Sequence, residues 1–167
     1  KNNGVWKYAF TKGQVEQVAA KLINPKVAEV TIKVKLAAKE STQQIRYLVY
    51  GSGDIVVENK VDIAAGLPFM MRFGMQAQVP GLFNTMTWYG RGPYESYCDR
   101  KTASCFGIYH STPEGLFTPY VRPQENGYRT EVRWASFASE EGISLKITGR
   151  PEFCFSALPY DYDDLKG

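Results

Sequence analysis

Between residues 27 and 36 apolar and polar side chains change places at every step: Val30, Ile32, Val34 and Leu36 alternate with Glu29, Thr31, Lys33 and Lys35. Period two with β-branched residues predicts a strand with one buried face. Residues 45–50 and 55–63 repeat the pattern on either side of Gly51-Ser52-Gly53-Asp54, whose glycines permit positive φ, so the two segments are expected to form a hairpin. Further strands are predicted over residues 5–10, 69–78, 86–89, 105–110, 130–137, 143–148 and 153–158. Nowhere do apolar residues keep a helical spacing for more than about three turns. About ten strands separated by Gly, Pro, Asn and Asp turns predict an all-β fold, an antiparallel β-sandwich.

A chain of 167 residues suits one substantial core, so a single domain over residues 1–167 is expected. The nearest thing to a boundary is Ala64-Ala65-Gly66-Leu67-Pro68, where the alternating first part passes into an aromatic, Arg-rich second part. It is read as a connection within one sandwich. The 20 basic and 17 acidic residues are interspersed, which leaves no block dense enough to act as a nucleic-acid or anionic-membrane footprint. No apolar run approaches the ~20 residues of a membrane span. Neither nucleic acid nor membrane is therefore expected as a partner. Cys98, Cys105 and Cys154 cannot all pair and form no metal-site spacing; read as buried small hydrophobes they suit a reducing compartment, which favours the cytoplasm over the periplasm. A start without Met and an end reading DYDDLKG suggest a piece of a longer polypeptide.

Candidate chemistry is sparse. The one histidine, His110, precedes Ser111, Thr112 and Pro113 at a predicted strand end, where an exposed or turn-bonded role is expected. No GxSxG, phosphate loop or HExxH occurs. Asp161, Asp163 and Asp164 before Leu165 have the pattern of a helix N-terminus, and as a calcium site they fall short of the six or more oxygens required. No catalytic residue, metal ligand or cofactor is assigned within the chain.

Two stretches stand apart from this background. Residues 88–101 read WYGRGPYESYCDRK and residues 118–134 read TPYVRPQENGYRTEVRW. Gly90 and Gly92 are read as flanking Arg91 in a tight turn, with Pro93 fixing the exit and Trp88, Tyr94 and Tyr97 supplying area to be covered. Glu95 and Asp99 are suited to accept paired N–H donors from Arg100, Arg122 or Arg129, with Glu125 as a third acceptor. Carboxylates beside guanidinium groups stay ionised, which suits ion pairing better than acid catalysis. Asn126-Gly127 is a turn signal. The expectation is two loops locked together by Arg–carboxylate bonds. A competing reading makes Trp88, Tyr89, Tyr94 and Tyr120 an open platform facing a sugar or a partner domain.

These two motifs resemble the C-terminal β-sandwich domain, fifth along the chain, of the large β-galactosidases of glycoside hydrolase family two. The pattern Trp-x-Gly-x-Gly-Pro-x-Glu-x-Tyr-x-Asp-Arg is matched by Trp88, Gly90, Gly92, Pro93, Glu95, Tyr97, Asp99 and Arg100. The pattern Thr-Pro-Tyr-Val-x-Pro-x-Glu-Asn-Gly-x-Arg is matched by Thr118, Pro119, Tyr120, Val121, Pro123, Glu125, Asn126, Gly127 and Arg129. The resemblance implies a supersandwich fold of the galactose mutarotase type, truncated at its C-terminal end. It implies a parent that hydrolyses terminal β-D-galactose, with its catalytic glutamates and magnesium ligands in an upstream barrel. The implied partners are that barrel, the β-galactoside substrate and further copies of the parent. The role implied here is noncatalytic support of the barrel and its sugar pocket, with a freestanding carbohydrate-binding module as the alternative.

Overall fold

The computed structural model describes residues 3–121 and 125–160, and it contains eight strands, one short helix and one 3₁₀ turn. Arg122, Asp161, Asp163 and Asp164 lie outside the described residues. The strands form two antiparallel four-stranded sheets, as the all-β reading requires. No helix among the described residues is long and apolar enough to cross a membrane. By contacts the chain forms two compact units, Lys1–Met75 and Gln76–Gly167.

The first unit is a meander of β1 (Gln14–Asn24), β2 (Val27–Lys35), β3 (Thr42–Tyr50) and β4 (Ile55–Asp62), hydrogen-bonded in that order. The expected hairpin is β3–β4: Tyr50 N–H donates to the Asp54 carbonyl at 2.9 Å, and Gly53 takes φ +94°. Asn24 turns the chain from β1 to β2, its side-chain oxygen accepting from Lys26 N–H at 2.9 Å. Register fixes the faces. Val30, Ile32 and Val34 pair with Tyr47, Ile45 and Gln43, while Glu29, Thr31 and Lys33 share the other side with Leu48, Arg46 and Gln44. On that polar side Glu29 is bonded by Lys21 at 2.9 Å and by Arg46 at 2.7 Å, and Arg46 also reaches Glu58 at 3.1 Å.

Strand β1 was not anticipated. A register shift between Val15 and Gln17 moves the apolar positions to Val15, Val18, Ala20 and Leu22, which erases the strict alternation that marks a strand. Two predicted strands are corrected. Residues 5–10 continue from a 3₁₀ turn, Asn3–Trp6, and their bonds are local, Ala9 N–H to Trp6 O and Gly13 N–H to Phe10 O. Ala9 there forms a buried cluster with Leu36 and Ala38, against which Val5, Trp6, Phe10, Val34 and Val61 pack. Residues 69–78 carry no regular structure, and Phe69, Met71 and Met75 are exposed although their pattern is apolar.

The second unit contains β5 (Thr85–Gly92), β6 (Cys105–Ser111), α1 (Pro113–Leu116), β7 (Arg129–Ala138) and β8 (Ser144–Phe155), in the sheet order β6-β5-β7-β8. Its core is Met86, Trp88, Leu116, Val132, Ala135 and Phe137. The predicted strands at 143–148 and 153–158 are one strand, β8: Trp134 pairs with Thr148 and Val132 with Phe153, so residues 149–152 bulge outward. Pro151 is tolerated inside β8 because that strand is an edge and its missing N–H costs no ladder bond. All three cysteines are exposed thiols, not the buried hydrophobes expected: Cys98 lies in a loop, Cys105 opens one edge strand and Cys154 is the last residue but one of the other.

Candidate functional site

The two motifs meet where β5 ends and β7 begins. Successive residues of β5 alternate in burial: Met86, Trp88, Gly90 and Gly92 are buried, Tyr89 is exposed and Arg91 half-buried. Adjacent strand residues point to opposite faces, so Trp88 and Tyr89 do not share a surface. Trp88, 1% exposed, donates its indole N–H to the Arg91 carbonyl at 2.9 Å and packs against Tyr109 and Phe155. Gly90 and Gly92 correct the turn reading, for both lie in the strand and neither has a positive φ. They are glycines because of close neighbours: a Cβ on Gly90 falls 2.8 Å from Val132 Cα, and one on Gly92 falls 2.6 Å from the Tyr109 ring.

Beyond the Gly92–Pro93 bond, which is cis, the first loop folds over the second. Glu95 is the hub. One carboxylate oxygen accepts from Arg100 at 2.5 Å, and the other accepts from Gly127 N–H at 3.3 Å across the loops. Ser96 N–H donates to the Tyr128 carbonyl at 2.8 Å, and its buried hydroxyl lies 2.9 Å from that of Thr130. Tyr97 stacks on Tyr128 with ring centroids 5.4 Å apart and donates its O–H to the Glu125 carbonyl at 2.7 Å. Burial, with the charges of Glu95 and Glu125, pushes the Tyr97 phenol up to about 12, so it remains a donor. Asn126 brackets one residue, accepting from Thr118 N–H at 2.7 Å and donating to the Thr118 carbonyl. Gly127 takes φ +64°, where a Cβ falls 2.7 Å from the Leu116 carbonyl oxygen.

Two arginines anchor the rims. Arg129, 4% exposed, donates to the Pro93 carbonyl at 2.8 Å and lies 5.2 Å from the Trp88 ring centroid, while its Nε has no partner among the described residues. Desolvation lowers its guanidinium to about 10, with Glu95 pulling the other way. Arg91 bonds Glu131 at 2.7 Å and the Ser104 carbonyl at 2.8 Å; Lys101 holds the second oxygen of Glu131. Lys101 and Arg91 keep the Glu131 carboxyl below the usual carboxylate range. Among the described residues no group of three or more His, Cys, Asp and Glu is arranged to hold a metal ion.

A family model described as "Beta galactosidase small chain" matches residues 1–167. The chain belongs to the β-galactosidase small-chain family. Its relatives in that family include a β-galactosidase of Priestia megaterium, 34% identical over 163 residues that make up 96% of this chain and 16% of that protein. A β-galactosidase of Actinobacillus pleuropneumoniae is 34% identical over 74% of this chain and 12% of its own length. One of Vibrio cholerae is 36% identical over 53% of this chain and 9% of its own. This small-chain sequence thus spans about a sixth or less of the relatives it matches.

Within that frame an Arg–carboxylate bond does join the two stretches, but between Arg91 and Glu131 and not among the residues expected. Arg100–Glu95 lies inside the first loop, Arg129 goes to a carbonyl, and Arg122 lies outside the described residues. Asp99 is exposed while Arg100 turns to Glu95 and to the Tyr120 hydroxyl at 3.1 Å. Of the four candidate platform aromatics, Trp88 is in the core, and Tyr89, Tyr94 and Tyr120 are exposed. Residues the sequence reading missed are Ser96, Lys101, Tyr128, Thr130 and Glu131. Glu131 alone carried a signal, as a carboxylate between strand residues Thr130 and Val132 facing a basic Arg91 and Lys101. His110, bonded through Nδ1 to the Thr87 hydroxyl at 2.9 Å, is the strand-end residue expected.

Proposed function

We propose that this segment is a noncatalytic β-domain of a longer enzyme that hydrolyses terminal β-D-galactose from β-galactosides. Its role there is to support the catalytic barrel and to shape one edge of the sugar pocket. The observation that carries the proposal is the full-length family match in a chain that corresponds to 16% of a β-galactosidase relative. It is supported by the loop chemistry: Glu95 and Glu131 are bonded to arginine or lysine, and Tyr97 is held as a donor to a backbone carbonyl. The Glu131 carboxyl, held below the usual carboxylate range by Lys101 and Arg91, is the reverse of the raised pKa of a glycosidase general acid. In this proposal magnesium belongs to the barrel, whose residues supply its ligands, and the parent assembles as a homo-oligomer.

The test compares purified residues 1–167 with the intact longer chain on a chromogenic β-galactoside. Hydrolysis by the longer chain alone is expected; turnover by residues 1–167 above a mock preparation refutes the noncatalytic role. The exposed rings of Tyr94 and Tyr120 favour one second reading, direct sugar binding. Titrating residues 1–167 with galactose and lactose while following intrinsic fluorescence decides it, a saturable change being required.

A further inference from the structure

The edge of a sheet presents a row of unpaired N–H and C=O groups, and proteins blunt it with bulges, prolines or charges. Among the described residues the two sheets have four edge strands, and three of them are blunted. β1 is irregular between Val15 and Gln17 and again between Leu22 and Asn24. β4 carries Glu58, Lys60 and Asp62 within eight residues. β8 contains Pro151 and the bulge at 149–152. β6, with the sequence Cys-Phe-Gly-Ile-Tyr-His-Ser, has none of these devices. Its seven residues pair with β5 without a shift, from Gly92–Cys105 to Met86–Ser111, and its other side bonds no strand among the described residues. Phe106 and Ile108 stand 42% and 60% exposed on it. A regular edge without charge or proline is a template for the addition of another strand.

We propose that β6 is a contact between copies of this chain, pairing antiparallel with β6 of a second copy about a two-fold axis at Ile108. The inference rests on the proposed function in that it takes the longer chain to assemble as a homo-oligomer, and it names a surface for that assembly. The strand's own sequence selects a second copy as the occupant. Reversed against itself, it sets Ile108 opposite Ile108, Phe106 opposite His110, Gly107 opposite Tyr109 and Cys105 opposite Ser111. No like charges meet, and each Gly107 gains an aromatic ring across the strand. Tyr89 lies beside Ile108 and Trp134 beside Tyr89, so Trp134, Tyr89 and Ile108 continue across the axis into the same three residues of the copy. Arg91 and Arg133 lie over the Phe106 ring, 5.6 and 4.1 Å from its centroid, and come to face His110 and Thr87 of the copy rather than its arginines. A two-fold contact of this kind occupies both free edges and closes, leaving no further edge of β6 to propagate.

Disulfide trapping in the intact longer enzyme tests this. Directly opposed residues of an antiparallel pair have Cα atoms about 4.5–5.5 Å apart, within reach of a disulfide. Under mild oxidation Ile108→Cys should join 108 to 108 between copies at least about tenfold faster than Thr87→Cys, which lies one strand inward, joins 87 to 87. Peptide mass identifies each bond and separates those of the natural cysteines. If Ile108→Cys does not fold, Phe106→Cys combined with His110→Cys replaces it, the expected bond running from 106 of one copy to 110 of the other. A 108–108 bond no faster than the Thr87→Cys control is collisional and overturns the contact. A bond from 108 to Cys105 of another copy overturns the stated axis. A cysteine at 108 that neither cross-links nor reacts with iodoacetamide shows the edge covered within its own chain and overturns the second copy as occupant. Fast trapping in a longer chain without hydrolase activity supports the contact and removes the proposed function. Hydrolysis of β-galactosides without trapping leaves the proposed function standing and overturns the contact.

Discussion

Replacing Asn126 with alanine should unfasten the second loop. The residue is 6% exposed and its carboxamide closes a ring on one backbone unit, accepting from Thr118 N–H and donating to the Thr118 carbonyl. That pairing fixes which way the amide points, because the backbone offers one donor and one acceptor. Each net bond contributes about 0.5–1.5 kcal/mol, and Thr118 is half-buried, so water partly replaces what is lost; we expect Asn126→Ala to cost about 2 kcal/mol. For a chain of this length that is a fall of about 4–8 °C in melting temperature. Asn126→Asp keeps the acceptor but sets a second oxygen against the Thr118 carbonyl. It should be at least as unstable as the alanine variant at pH 7 and recover below about pH 4, where a protonated carboxyl again donates. Urea unfolding followed by tryptophan fluorescence, with unchanged m-value, reads both. An alanine variant within about 0.5 kcal/mol of the parent, or an aspartate variant equal to the parent at pH 7, refutes the reasoning.

Three further outcomes follow from the same geometry. Gly127→Ala should destabilise by at least about 1 kcal/mol more than Gly53→Ala, since both adopt positive φ but only the Gly127 Cβ meets backbone, 2.7 Å from Leu116 O; equal melting temperatures would remove the steric argument. Tyr97, raised to about 12 against about 10 when unfolded, stabilises the fold fully below pH 10 and loses that contribution as pH rises through 12; Tyr97→Phe should therefore show a shallower alkaline fall in stability than the parent, with Arg129 titrating in both proteins. Glu131, held below its ordinary 4.5 by Lys101 and Arg91, contributes stability above that value and loses it as pH falls through the lower folded value. Glu131→Gln should flatten the acid limb, and an unchanged limb would show that the pairs add nothing.

Alternation exposed β2, β3, β4 and their hairpin in the sequence because one face of that sheet is apolar and the other ion-paired, which is the condition under which period two survives. It failed wherever the ladder was irregular. The bulge after Val15 hid β1, and the four-residue bulge at 149–152 split β8 into two predicted strands. Residues 5–10 misled for the opposite reason: Val5, Trp6 and Phe10 are apolar to pack against the cluster of Ala9, Leu36 and Ala38, and a 3₁₀ turn presents them as well as a strand does. At the site, the motifs announced that two loops meet, and Asn126-Gly127 announced the left-handed turn. Spacing gave no warning that Gly90 and Gly92 answer to Val132 and Tyr109, since those neighbours come from other strands.

The bonds that accompany the ion pairs say what such a loop is for. Tyr97 donates to Glu125 O, Arg129 to Pro93 O, Arg91 to Ser104 O and Trp88 to Arg91 O, while Asn126 grips Thr118 from both sides. Each joins a side chain to a carbonyl or amide of the main chain and so fixes the path of the backbone. The atoms so committed hold the loop and are not also offered to a substrate. Catalytic groups have the reverse need, a polar atom held by its neighbours yet left open toward the reacting centre. Aromatics, arginines and carboxylates packed into fourteen residues look like an active site in a sequence. Here the same side chains order two loops at the end of a sheet, which is what the proposed noncatalytic role asks of them.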